Sequence, residues 1–192
     1  VNCQSPKATI EKMHYVFQGN EGEEVPKSVQ DLIVNPGIHV LPDDLCFQCE
    51  FLREVSLPEG LIKIGNRAFG WYDRLLEIKV CSTVEFIGDR AFMRCHLLKK
   101  AEFEFSSSPT QQPKTIIAQQ AFRFCCGLQR IKIPSSVDMI GARAFGDCDL
   151  LIEANLSTSS IKHIPPGGFA SCACLQTVSL PNSLEGIGAG AF

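Results

Sequence analysis

The sequence predicts an α/β repeat solenoid, and three observations carry that prediction. A short signature, IGNRAF at Ile64–Phe69, returns as IGDRAF at Ile87–Phe92, IAQQAF at Ile117–Phe122, IGARAF at Ile140–Phe145, IPPGGF at Ile164–Phe169 and IGAGAF at Ile187–Phe192. The phenylalanines that close these signatures are spaced 23, 30, 23, 24 and 23 residues apart. Between them, other residue types keep fixed columns. A period in the twenties marks units too small to bury their own apolar face, which must therefore stack on one another. With 45% hydrophobic residues the chain has an ordinary globular composition, arranged as a stripe that grows with repeat number.

The first 25 residues read as an N-terminal capping segment, with a capping strand at His14–Gly19 and a polar loop at Asn20–Glu24. Residues 26–192 read as an array of about seven rungs, the last incomplete. Val29, Leu32, Val34 and Ile38 fill the apolar columns of the first rung, and Cys46, Cys49 and Leu52 stand in the Phe, Cys and Leu columns of the next. From there each rung repeats one order. Three residues after the Phe comes Cys95, Cys125, Cys148 or Cys172, with Tyr72 as the exception. Three further on is a Leu: Leu75, Leu98, Leu128, Leu151, Leu175.

A spaced apolar pair follows, such as Ile78 and Val80 or Ile131 and Ile133. Its period of two marks a short strand with one buried face. Successive strands run parallel, because the chain always returns the same way. Turns at Pro58, Pro134 and Pro181 come next, then a closing pair such as Leu61 and Ile64. The IGxxAFxxC segment, apolar at every third position, predicts one tight helical or 3₁₀ turn, with Asn66 or Asp89 as its cap. Gly65, Gly88, Gly141 and Gly188 admit the bend into that turn. The array stops in mid-repeat at Phe192, which predicts continuation beyond it or a covering partner.

The combined string AFxxCxxLxxIxIPxxVxxIGxxAF resembles the BspA-type (Treponema-like) leucine-rich repeat from about Pro26 to Phe192. The resemblance implies a right-handed superhelix with a parallel sheet on the concave side and short turns on the convex side. Members of that family occur on bacterial surfaces as adhesins and in many protists. The chain departs from the pattern at Tyr72 and at an insertion over residues 104–115, EFSSSPTQQPKT, whose Ser, Pro and Gln content predicts a surface loop. Phe105 is that loop's one large apolar residue and a candidate anchor.

Charge is mild, with 18 Lys and Arg against 21 Asp and Glu, and no basic cluster of the kind nucleic acid requires. No apolar stretch reaches the length of a membrane-spanning helix. The ten cysteines include Cys46-Phe-Gln-Cys49, which has metal-ligand spacing, but both residues fall in core columns. No metal or cofactor is expected. The column cysteines predict a buried ladder of free thiols, which tilts the chain toward a reducing intracellular compartment, with the cell surface as the alternative. Cys81 sits in the turn column and is expected near the surface. The histidines share no column, and no nucleotide-binding or zinc-hydrolase motif occurs, so an enzyme is not expected.

The outward strand positions form two columns, and these supply the candidate partner-binding residues: Glu54, Glu77, Lys79, Lys100, Glu102, Arg130, Lys132 and Glu153, together with Phe105. Glu77 beside Lys100 and Arg130 beside Glu153 predict cross-strand ion pairs. Trp71 and Phe124, with Arg94 between them, are expected to flank the neighbouring turn, with an outer aromatic patch as the alternative. The function these features predict is a non-catalytic protein-interaction or scaffolding module with protein partners. A structural subunit docked in a larger assembly and a surface adhesin for host matrix or glycan are the alternatives.

Overall fold

The computed structural model describes residues 13–104 and 114–192, and every described strand pairs in parallel. One ladder contains β1 (His14–Phe17), β2 (Asp31–Val34), β3 (Glu54–Ser56), β5 (Glu77–Val80), β7 (Lys100–Phe103), β9 (Arg130–Lys132), β11 (Glu153–Asn155) and β13 (Thr177–Ser179). Its pairing breaks between β3 and β5, which still lie side by side. The register is the repeat itself: Glu77 faces Lys100, Ile78 faces Ala101, and Glu153 faces Arg130. Phe105 lies outside the described residues.

A second ladder was not expected. β4 (Lys63–Ile64), β6 (Phe86–Ile87), β8 (Thr115–Ile117), β10 (Val137–Ile140), β12 (His163–Ile164) and β14 (Gly186–Ile187) stack along the closing apolar pair of each repeat. Strands of two to four residues are too short to display a sustained period of two, so the sequence shows them only as a closing apolar pair. The ladder carries a bulge between Val137 and Met139, one rung after the insertion.

The third face corrects the expected helical turn. Among the described residues there is no helix; the IGxxAFxxC segments are flat turns. Every second N–H leaves the rung. Arg67, Phe69 and Trp71 donate to the carbonyls of Asp89, Ala91 and Met93 at 2.9, 2.8 and 2.6 Å. The intervening amides of Ala68 and Gly70 bond back three residues, to Gly65 and Arg67. Rung spacing explains the choice. Strands stack about 4.8 Å apart, whereas an α-helix with side chains needs roughly 10 Å. A flat turn that hydrogen-bonds forward keeps step with the strands. It requires left-handed backbone at two columns per rung, and the chain places Arg67, Arg90, Gln120 and Arg143 at one, Gln48, Trp71, Arg94, Phe124, Asp147 and Ser171 at the other.

The expected caps also act between rungs. Asn66 Oδ1 accepts the Asp89 N–H at 2.8 Å, and Asp89 Oδ1 accepts the Gln119 N–H at 3.1 Å. Gly88 is needed for close approach: a Cβ there would stand 2.6 Å from the Asn66 N and the Gly65 carbonyl carbon of the rung before.

The core is one spine. Phe69, Phe92, Phe122, Phe145, Phe169 and Phe192 stack in sequence, with ring centroids 5.4, 5.0, 5.4, 5.4 and 5.9 Å apart and interplanar angles of 17° or less. The 30-residue interval leaves the Phe92–Phe122 contact intact. Cys46 replaces the spine phenylalanine one rung earlier, and Tyr72, buried in the cysteine column next door, restores bulk there. Burial drives the Tyr72 phenol well above its usual pKa.

Candidate functional site

The cysteine column is built as a hydrogen-bonded ladder. Cys95, Cys125, Cys148 and Cys172 donate their S–H groups to the carbonyls of Phe69, Phe92, Phe122 and Phe145 at 3.1, 3.2, 3.3 and 3.2 Å. A thiol fills this space as a small apolar group and still donates to a carbonyl. Burial pushes the Cys95 thiol up to about 12 and raises Cys125 strongly. Cys148 is raised first by its hydrogen bond to Cys172 and then by burial. Cys46 and Cys49 lie fully buried in core columns, as register predicts. All nine described cysteines are free thiols. Cys81 is not at the surface: it is buried and donates to the Pro58 carbonyl at 3.1 Å. Among the described residues no group of three or more His, Cys, Asp or Glu side chains could hold a metal ion. No described helix is long and apolar enough to cross a membrane.

The eight candidate strand residues all fall where their columns put them. Glu54, Glu77, Lys100, Arg130 and Glu153 share one outward column, and Lys79, Glu102 and Lys132 the other. The ion pairs differ in detail from the expected ones. Lys100 Nζ reaches Glu102 Oε1 at 2.8 Å along its own strand, and that hydrogen bond lowers the Glu102 carboxyl pKa. Arg130 Nε stands 3.9 Å from Glu153 Oε2 across the ladder. Extended strand geometry accounts for the first, since residues two apart project from the same face.

A cleft of about 650 Å³ opens on this face around Arg53, Glu54, Leu76, Glu77, Lys79 and Glu104. Glu59 sits beside it, its carboxyl pKa raised by partial burial and then by a hydrogen bond to Glu104. Leu76, Leu97 and Leu150 remain about half exposed along the edge of the ladder. The outward strand columns of the sequence hold the charged positions and not these leucines. Reading one residue to either side of each core leucine would have found this apolar border.

The turn face holds the second cluster. Phe124 is covered by Arg94 at 5.4 Å and Arg123 at 4.5 Å, measured to the ring centroid. Trp71 lies in a different cleft, shared with Phe47 of the preceding rung. The alternative patch of Trp71 with Phe124 is therefore two separate sites. Phe47 escaped the sequence reading, although the signal was present: once Cys46 takes the spine position, the next residue must face outward. Arg67 clamps Asp44 here through Nε and Nη2 at 2.7 and 2.6 Å and holds its carboxyl below the ordinary carboxylate range.

A family model described as a BspA type leucine rich repeat region matches residues 28–99 and 99–192, in six copies. Among solved structures, a leucine-rich repeat protein from Eubacterium ventriosum superposes with a TM-score of 0.77 at 23% identity, covering 88% of this chain and 44% of that one. One from Bacteroides ovatus gives 0.60 at 23% identity, covering 86% and 46%. A leucine rich cell surface protein from Faecalibacterium prausnitzii gives 0.50 at 20% identity, covering 85% and 58%. The chain thus spans less than half the length of the first two. No curated protein matches it.

Proposed function

Because the chain belongs to the BspA-type leucine-rich repeat family, we propose that it is a non-catalytic interaction module whose main strand face receives a protein partner. One observation carries this reading: parallel register aligns charges of both signs into two continuous columns beside a half-exposed leucine border. Mixed charge flanked by apolar side chains suits a protein surface better than a polyanion. The face is also rigid, since each outward residue alternates with one buried in the core. Preorganisation of that kind lowers the entropy lost on binding.

Charge reversal tests the reading. The triple variant Lys100→Glu, Arg130→Glu, Lys132→Glu changes only outward positions and leaves the spine untouched. Affinity crosslinking of native and variant chains to partner proteins should show recovery falling at least about tenfold, or 1.4 kcal/mol. Equal recovery would move the contact away from this face.

A further inference from the structure

The turn-face cleft around Trp71 has a volume of about 410 Å³, within the range of small-ligand sites. Two aromatic side chains wall it, Phe47 at 67% exposure and Trp71 at 45%. Gly70, which follows Phe47 in the same column, also lines it. The backbone does not call for an aromatic at either place. Later rungs put Met93, Arg123, Gly146 and Ala170 in the Phe47 column, and Arg94, Phe124, Asp147 and Ser171 in the left-handed Trp71 column. Two other outward aromatics carry a cation over the ring: Phe124 has two, and Phe51 has Arg74 at 5.2 Å. No described cation–π contact covers Phe47 or Trp71.

The rim decides the ligand class. Asp44 and Arg67 neutralise each other through their paired hydrogen bonds. Gln48 Oε1 accepts from Lys27 Nζ at 2.6 Å, which leaves the amide N–H groups to donate, and Glu50 adds an acceptor. Arg67 in the lining and Lys27, held to Gln48 just outside it, offset two anions, Asp44 and Glu50, for a formal sum of zero. A charged ligand finds no net field here. A purely apolar one would desolvate amide, guanidinium and carboxylate groups without replacing their water. A ring with apolar C–H faces and a hydroxyl edge satisfies both the walls and the rim. We propose that this cleft binds a neutral sugar residue, stacked on Trp71 and Phe47 and hydrogen-bonded to Gln48, Glu50 and Arg67. The site is separate from the strand face and does not depend on it.

Trp71 is the chain's one tryptophan, so its emission reports on the cleft directly. The experiment titrates the intact chain with methyl glucoside, methyl galactoside and N-acetylglucosamine while following Trp emission and saturation-transfer NMR of the sugar. At least one sugar should give a saturable emission change with a dissociation constant of the order of 1 mM or below. Trp71→Ser and Phe47→Ala each copy a residue that their own column already accommodates. Both should weaken the NMR-detected binding about tenfold or more. No saturable response to any of the three sugars overturns the proposal, as does binding undiminished in both variants. A response to N-acetylphenylalanine amide without one to the sugars also overturns it, and assigns the cleft to a partner's apolar side chain.

Discussion

Truncating Phe122 to alanine removes one ring from the middle of the spine. That ring is fully buried, stacked at 5.0 Å on Phe92 and 5.4 Å on Phe145, with Phe103 edge-on at 6.4 Å. Returning its apolar surface to water costs about 2 kcal/mol beyond what alanine retains. The vacated space, about 100 Å³, adds about 2.4 kcal/mol if it stays open. It does stay open, because the walls are pinned: Phe92 N–H bonds Ala121 O at 2.8 Å and Phe122 N–H bonds Ala144 O at 2.8 Å. The sum, about 4 to 5 kcal/mol, reaches the top of the usual Phe→Ala range. Urea unfolding followed by far-ultraviolet circular dichroism measures it, with the slope m showing whether the array still unfolds as a unit. Phe47→Ala, at an exposed site, serves as the control and should cost below about 1 kcal/mol. A loss under about 2 kcal/mol at Phe122, or equal losses at the two sites, would refute the reasoning.

Two further predictions concern the thiols and the glycine column. The Cys95 pKa, pushed up to about 12 by burial, lies above the unfolded thiol value of about 8.5. Its contribution is therefore complete below the unfolded value and is lost as pH rises from about 8.5 towards 12, at about 1.4 kcal/mol per unit. Cys125, raised by burial, shifts in the same direction, so thermal stability should fall steeply above about pH 9; a flat melting temperature to pH 10.5 would contradict the buried ladder. Gly88→Ala should destabilise by about 1 to 3 kcal/mol, since the new Cβ meets only backbone of the preceding rung. A neutral result in the same urea assay would mean that the rungs are not held at strand spacing.

The sequence made the periodic part of this protein readable. Phe92, Cys95, Leu98 and Ala101 each repeat at a fixed offset, and periodicity survives even where Cys46 and Tyr72 exchange bulk between columns. The charged strand residues were legible for the same reason, because alternation assigns each a face. What escaped was the geometry that has no residue signature. Most left-handed turn positions hold residues such as Arg67, Gln120, Asp147 and Phe124, with glycine at Gly167 and Gly190, so their identities in the earlier rungs do not separate a flat inter-rung turn from a helical one. The second ladder escaped because its strands are too short to alternate. At the cleft, Trp71 was visible as an outward aromatic, but its companion was not Phe124. That pairing depends on a one-residue consequence of Cys46 standing in the spine.

Ring-to-ring contact in solution is the most direct test of the single spine. Nuclear Overhauser spectra of the chain labelled only at phenylalanine should connect Phe69 to Phe92, Phe92 to Phe122, Phe122 to Phe145 and Phe145 to Phe169, matching centroids 5.0 to 5.4 Å apart. The Phe92–Phe122 cross-peak matters most, because it spans the insertion. Its presence at the intensity of the others is the predicted result; its absence, with the other three retained, would split the array into two stacks and contradict the account.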